Sequence, residues 1–368
     1  MLSAYDDYPI HQAAMPIFQT VTGDSNAYDR YFFHGYDADT GMIFVVALGV
    51  YPNRQIIDAA FCVSVDGHQR SVFASGRLDP ERTCEIGPIR VDVVEPMRVL
   101  RVHVDAPEQG LAADLTFTAR TAAIQEPQQV MMDRNRVTLD SCRFTQFGRW
   151  SGSLRTGDVD VAVTPDAFAG TRDRSWGVRP LSGATPLAPP TTGHSFWWMW
   201  APLQFDDGCA HMAVAEDESG MRQLEASVLA DLVGDGSTTD PSSIEHGTGV
   251  RWDVEWAPGV RRVRRAVLTL ERLAGDPHVH ELEPVGRIHM RGVGYTHLER
   301  GHGAWHGELS VAGEELVHDD VDPWDFTALH VQQVMRVTGT RTGVGVLEEL
   351  HIGPHTPSGL TGIMDPPA

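Results

Sequence analysis

The chain of 368 residues contains no lysine; all 29 of its basic side chains are arginine. Without a lysine amine there is no Schiff-base catalysis, and the phosphate-gripping lysine of a P-loop is missing as well. A codon or lineage bias is the plain cause of such a composition. Cysteine is nearly as scarce: Cys62, Cys84, Cys142 and Cys209 are far apart and form no CxxC pair. That spacing points to neither a zinc ribbon nor a thioredoxin-type site, and it fits buried or free thiols in a reducing compartment. Long apolar runs are also lacking, and none approaches the roughly 20 residues that span a bilayer. The opening segment, MLSAYDDYPIHQAAMP, has no basic stretch ahead of an apolar one, so it does not read as a secretory signal. A cytoplasmic protein without a membrane span is expected.

Positive charge is in deficit. Twenty-nine basic against 50 acidic side chains leave a formal net charge of −21, which opposes binding to nucleic acid or an anionic membrane. The run Arg261, Arg262, Arg264, Arg265 in PGVRRVRRAVLTLERL is accordingly expected to pair with carboxylates on a sheet face. No GxGxxG follows a clear strand, and neither a GxSxG elbow nor a Walker sequence occurs, so no nucleotide cofactor is expected.

What the chain has in abundance is strand and turn. GMIFVVALGVYP, IIDAAFCVSVDG, IRVDVVEPMRVLRVHVDAP and ADLTFTARTA are short runs rich in β-branched and aromatic residues, closed by Gly, Pro, Asp or Asn at the spacing of an all-β sandwich or barrel. In LRVHVDA, Leu100, Val102 and Val104 alternate with Arg101, His103 and Asp105, as in a strand with one wet face. Two segments read as possible helices: Pro127 to Val137, and Gly220 to Gly236, where Met221, Leu224, Val228 and Leu232 fit a helical face but a further strand fits equally. A seam is expected between about Asp160 and Gly193, ahead of a second set of strands opening with SFWWMWAPLQFDDG. The division predicted is 1–165 and 166–368, two all-β units whose sheets enclose a packed core or a ligand cavity.

The stretch closest to an active-site signature is GTRDRSWGVRP, Gly170 to Pro180. Its residue types suit a charged turn as well as a site of chemistry. Asp173, Trp176 and Gly177 resemble the Asp-x-x-Trp-Gly signature of the hydroxyneurosporene synthase (carotenoid 1,2-hydratase) and AttH-like family. GVGYTHLERGHGAWHGEL, Gly292 to Leu309, is similar to the Gly- and His-rich strand pair of bacterial relatives of that family, and the resemblance extends from about Tyr28 to Gly353. It implies two tandem lipocalin-like barrels, an apolar cavity, no cofactor, and hydration or cyclisation of an isoprenoid-type substrate. Arg174 and Ser175, between the Asp and the Trp, and the arginine-rich flanks depart from the carotenoid hydratases, so carotenoid itself is not the expected substrate.

A buried carboxyl with a raised pKa can protonate an alkene, and Asp173 is the candidate; an arginine at ion-pair distance, Arg172 or Arg174, would instead make it a carboxylate base. His194 is its candidate proton partner. Tryptophan faces stabilise a carbocation by about 0.5–2 kcal/mol each. As a strand, GHSFWWMWAP places His194, Phe196, Trp198 and Trp200 on one face and Ser195, Trp197 and Met199 on the other; these aromatics line a cavity or fill a core. Trp176, Arg172, Arg174, Trp197, Trp198, Trp200, Tyr295 and His297 are the candidate substrate contacts. The reading is a cofactor-independent lyase or isomerase, monomeric or homodimeric, acting on a terpenoid-, steroid- or polyketide-like molecule. A lipocalin-type carrier is the alternative. A metal enzyme is the third reading, because HVHELE is cupin-like in part and His297, Glu299, His302 and His306 are suitable ligand types.

Overall fold

The computed structural model describes residues 2–181 and 195–367. The expected strands form, and they assemble into two antiparallel sheets: one of fourteen strands, coiled into a nearly closed barrel, and one of nine strands, a half-barrel. The first sheet runs in sequence from Leu309–Val317 through His68–Arg77, Ile56–Val65, Ile43–Tyr51, Ala27–Tyr36, Ala169–Val178, Arg136–Thr156, Leu111–Ala119 and Val99–Ala106 to Ile89–Glu95 and Glu85–Ile86. The second is centred on Phe196–Phe205, with Cys209–Glu216 and Arg222–Ala230 on one side and Gly343–Ile352, Val331–Gly339 and His278–His289 on the other.

Two connections depart from a simple tandem. The motif strand Ala169–Val178, expected to open the second unit, is hydrogen-bonded inside the first sheet between Ala27–Tyr36 and Arg136–Thr156. Leu309–Val317, from late in the chain, pairs with His68–Arg77 at the edge of that same sheet. The first sheet therefore contains strands from both sides of the predicted division at 165/166, whereas the second is built wholly from residues after it.

Neither candidate helix forms. Gln129–Asp133 is a strand that turns back at Arg134 and Asn135 to pair with Arg136–Thr156, with Arg134 at φ 56° in the turn. Within Pro127–Val137 the apolar residues Val130, Met131, Met132 and Val137 leave four polar residues in a row between them, and the chain reverses there as a hairpin. In the second segment Arg222–Ala230 is a strand; Leu224, Ala226, Val228 and Ala230 are buried at period two, which resolves the open alternative in favour of β structure.

Three layers of apolar side chains result. The barrel interior is filled by Phe33, Phe44, Phe61, Phe117 and Trp150, and the half-barrel by Met199, Leu203, Phe205, Met212, Leu268 and Leu347. Between the sheets, Phe32, Tyr36, Ile43 and Val45 pack against Ile288, Met290, Val334 and Val346. Two glycines of the motif strand are required by close approach. A Cβ on Gly170 would lie 2.1 Å from the Trp150 indole nitrogen, and one on Gly177, at φ +133°, would lie 2.0 Å from the Asp140 carbonyl. All four cysteines are free. Among the described residues no helix is long and apolar enough to cross a membrane, which says nothing of a β-barrel.

Candidate active site

The register of three strands selects the site. Asp173 stands opposite Phe32 on one side and Thr145 on the other, while Ser175 stands opposite Arg30 and Arg143. Directly opposed residues of antiparallel strands share a face. Asp173, Arg30, Arg143 and Thr145 therefore look out of the barrel toward the half-barrel, and residues 172, 174 and 176 look the other way. From the half-barrel, Trp198 and Trp200 meet this face with Glu348, which is opposite Trp200, and Gln332, which is opposite Glu348.

Two buried glutamates organise the space. Glu126 accepts hydrogen bonds from Arg143 Nε at 2.8 Å, from Trp200 Nε1 at 3.3 Å and from the Thr145 hydroxyl, and His211 Nε2 lies 3.3 Å from it. Glu348 accepts from Trp198 Nε1 at 3.0 Å and Gln332 Nε2 at 2.6 Å, with His330 Nε2 at 3.0 Å. Gln332 extends the chain to His34 Nδ1, 3.1 Å from its Oε1. Burial pushes both carboxyls up, but donors more than cancel it: Arg143 and His211 hold Glu126 well below the carboxylate range, and His330, Gln332 and Trp198 hold Glu348 at about 2. Both stay ionised.

Asp173 is the opposite case. It is 9% exposed, and its carboxyl accepts no hydrogen bond among the described residues. Burial, and then the negative charges of Glu126 and Glu348, raise its pKa to about 7 against the pull of Arg143 and Arg30. Three carboxyls thus face one space, two fixed as anions and one poised between its forms near neutral pH.

The raised pKa has a consequence for stability. In the unfolded chain Asp173 ionises near 3.8, in the folded protein near 7; between these the unfolded state sheds its proton first, so Asp173 stabilises the fold at low pH and loses that contribution as pH rises. Asp173→Asn is expected to gain on the wild type by on the order of 4 kcal/mol between about pH 4 and pH 8, measured by urea unfolding. A difference that does not change with pH contradicts the raised pKa.

The other predicted residues divide. Neither Arg172 nor Arg174 forms an ion pair or hydrogen bond with the Asp173 carboxyl among the described residues. Arg172 Nε donates to Gln146 Oε1 at 2.9 Å with its guanidinium over Phe144, and Arg174 pairs with Asp29 at 2.7 Å and covers Tyr31. Trp176, on their side of the strand, is 44% exposed. Trp197 points into the half-barrel core and stacks on His355 at 4.1 Å. Trp198 and Trp200 do face the site, but Arg143 lies 5.2 Å from the Trp198 ring centroid, so that ring is engaged with a protein cation. Tyr295 reaches the inter-sheet space with its ring against Arg30 and His330. His297 is apart from it, edge-on to Phe73, its Nδ1 accepting the backbone N–H groups of Glu299 and Arg300. His194 lies outside the described residues. His302 Nε2 is 2.9 Å from the Val293 carbonyl oxygen, and among the described residues no three His, Cys, Asp or Glu side chains converge as metal ligands.

Glu126, Arg143, Glu348, His330, His34 and Arg30 escaped the sequence reading. Their signal was present: in YDRYFFHGY the polar Arg30 and His34 alternate with Phe32 and Tyr36 inside an apolar strand, and in VLEEL adjacent glutamates put one carboxylate on each face of a buried strand. A cleft of about 430 Å³, lined by residues 124–128 and 225–228 with His246 and Gly247, reaches Glu126. Asp173, Arg30, Arg143 and Glu348 are not among its lining residues.

Residues 2–361 match the model of a family of unknown function, DUF8625. The chain belongs to that family. A search among curated protein sequences finds no match. Solved structures share the fold of this DUF8625 chain. The AttH-like protein NE1406 of Nitrosomonas europaea superposes with a TM-score of 0.52 at 13% identity, over 88% of this chain and 92% of its own. Kievitone hydratase of Nectria haematococca does so at 0.50 and 13%, over 88% of each chain, and CghA at 0.50 and 12%, over 89% and 88%. At such identities the likeness establishes the fold of this DUF8625 chain, and its chemistry is argued from the residues.

Proposed function

We propose that this chain is a cofactor-independent hydratase, dehydratase or cyclase for a hydrophobic small molecule, with Asp173 as general acid and base. The observation that carries this reading is Asp173 itself: a carboxyl with no hydrogen-bond partner among the described residues, held near neutral pKa, in the space between the sheets. The similarity of fold to a protein named a hydratase agrees with it.

In the hydration direction Asp173, protonated, transfers its proton to one alkene carbon, and positive charge develops on the other. The anions Glu126 and Glu348 stabilise that charge electrostatically, an effect strengthened where water is excluded. Water then adds to the cationic carbon and gives up a proton to the Asp173 carboxylate, which restores the acid. Dehydration is the same path reversed, and capture of the cation by a second double bond, followed by loss of a proton from the new cation to the Asp173 carboxylate, gives a ring instead of an alcohol.

The test is incubation with a panel of terpenoid, steroid and polyketide-like substrates in ¹⁸O-labelled water, read by mass spectrometry. Label in a product establishes water addition, and unlabelled isomers establish cyclisation or isomerisation. Ligands bound but recovered unchanged overturn the enzyme reading and leave a carrier.

A further inference from the structure

Arg30 is unlike the other buried arginines. Its side chain is 2% exposed, yet Nε, Nη1 and Nη2 all lack a hydrogen-bond partner among the described residues. Arg261 shows how this fold satisfies an enclosed guanidinium, with the carbonyls of Gly353, Ile363, Gly362 and Asp365 all accepting from it. Leaving a buried cation without acceptors is costly, and such a group persists where something other than stability selects it.

Asp58 and Asp173 lie near enough to favour the charged form of Arg30, but no acceptor meets its N–H groups among the described residues. The Tyr295 ring lies 4.8 Å from its guanidinium carbon, and a second cation, Arg179, lies 5.5 Å from the same ring. The nearby carboxyl, Asp58, already accepts from the Tyr51 hydroxyl at 3.0 Å and the Gly303 N–H at 2.7 Å. Burial holds Asp58 up at about 6 and Asp173 at about 7, so at neutral pH Asp58 is mostly ionised and Asp173 about half ionised, but neither accepts a hydrogen bond from Arg30. What is left open is the set of N–H donors, which an incoming anionic oxygen can meet.

The position is also informative. Arg30 stands opposite Ser175, two residues along from the Phe32–Asp173 pair on the same face. Diagonal neighbours of this kind lie about 7–8 Å apart. A group gripped by Arg30 places the atoms a few bonds away within reach of Asp173.

We propose that Arg30 anchors an anionic oxygen of the substrate, a carboxylate or an enolate, so that the hydrophobic molecule acted on beside Asp173 is an acid and not a plain hydrocarbon. This rests on the reading of that face as the substrate site. The planar guanidinium offers two parallel N–H donors to such an oxygen pair, the strongest geometry available to it.

The experiment is calorimetric titration of the full chain with dodecanoate and with abietate, each against its methyl ester, in wild type, Arg30→Met and Asp173→Asn. The wild type is expected to bind at least one acid about tenfold or more tighter than its ester, Arg30→Met to lose that preference, and Asp173→Asn to keep it. Without ligand, Arg30→Met is expected to melt higher by roughly 2 °C, because an unpaired buried charge has been removed. Equal binding of acid and ester by the wild type overturns the proposal, as does a preference surviving in Arg30→Met. A variant that melts lower or fails to fold also overturns it, because Arg30 would then be held by partners in the free protein. Loss of turnover in Asp173→Asn is read separately, so an acid preference without any turnover defeats the enzymatic reading and leaves the Arg30 subsite standing.

Discussion

Asp173→Asn lowers turnover at least about a hundredfold while the protein stays folded and its ligand stays bound. General acid–base catalysis by a placed side chain contributes about 10²–10⁴ in rate, and the amide can neither give nor take the proton. Because the Asp173 carboxyl makes no hydrogen bond among the described residues and its ionised form is disfavoured by burial, the near-isosteric amide breaks no contact that holds the sheets together. The loss should therefore fall on kcat with KM little changed. A wild-type activity limited by protonated Asp173 also declines above about pH 7, the side on which its carboxyl ionises. Steady-state kinetics across pH on a substrate found in the labelled-water panel checks both. Turnover in Asp173→Asn within a few-fold of the wild type removes Asp173 from the mechanism.

Arg143→Met destabilises the protein by about 3–5 kcal/mol at neutral pH, the penalty expected when one partner of a buried ion pair is deleted and the other is left without its charge. Glu126 is 3% exposed, and Arg143 is the cation that holds it ionised, at 2.6 Å from its Oε2. Converting Glu126 to Gln in the same chain removes the stranded charge, so the double variant recovers part of the loss, and a double-mutant cycle by urea unfolding measures the coupling. The same cation opposes the rise of the Asp173 pKa. Its removal moves the Asp173 titration further up. A loss under about 1 kcal/mol, or a double variant no better than Arg143→Met, contradicts the network described.

The strand economy of this protein was legible because period-two burial follows from backbone geometry alone, and the alternation across Phe196 to Trp200 held in the structure: Trp198 and Trp200 on one face, Trp197 on the other. What alternation does not state is which face meets which neighbour. Arg172, Asp173 and Arg174 look like one charged cluster in the sequence, yet a strand sends the arginines into the barrel and the aspartate out of it. The cations that do face Asp173 come from residues 30 and 143, and its companion anions from 126 and 348. Those distances along the chain are set by sheet order, which hydrophobic pattern does not encode. The candidate helix at Pro127 to Val137 failed for a related reason, since a hairpin with a positive-φ turn at Arg134 needs only two residues to reverse and leaves no strong signal.

The most direct test of the central claim is the titration of the Asp173 carboxyl itself, by NMR of protein labelled with ¹³C at the aspartate carboxyl carbon, with Asp173→Asn used to assign the resonance. A midpoint near 7 is the predicted result, the signature of a buried acid that carries a proton at neutral pH. A midpoint at or below the ordinary aspartate value of 3.8 would make Asp173 a fixed carboxylate and contradict the account.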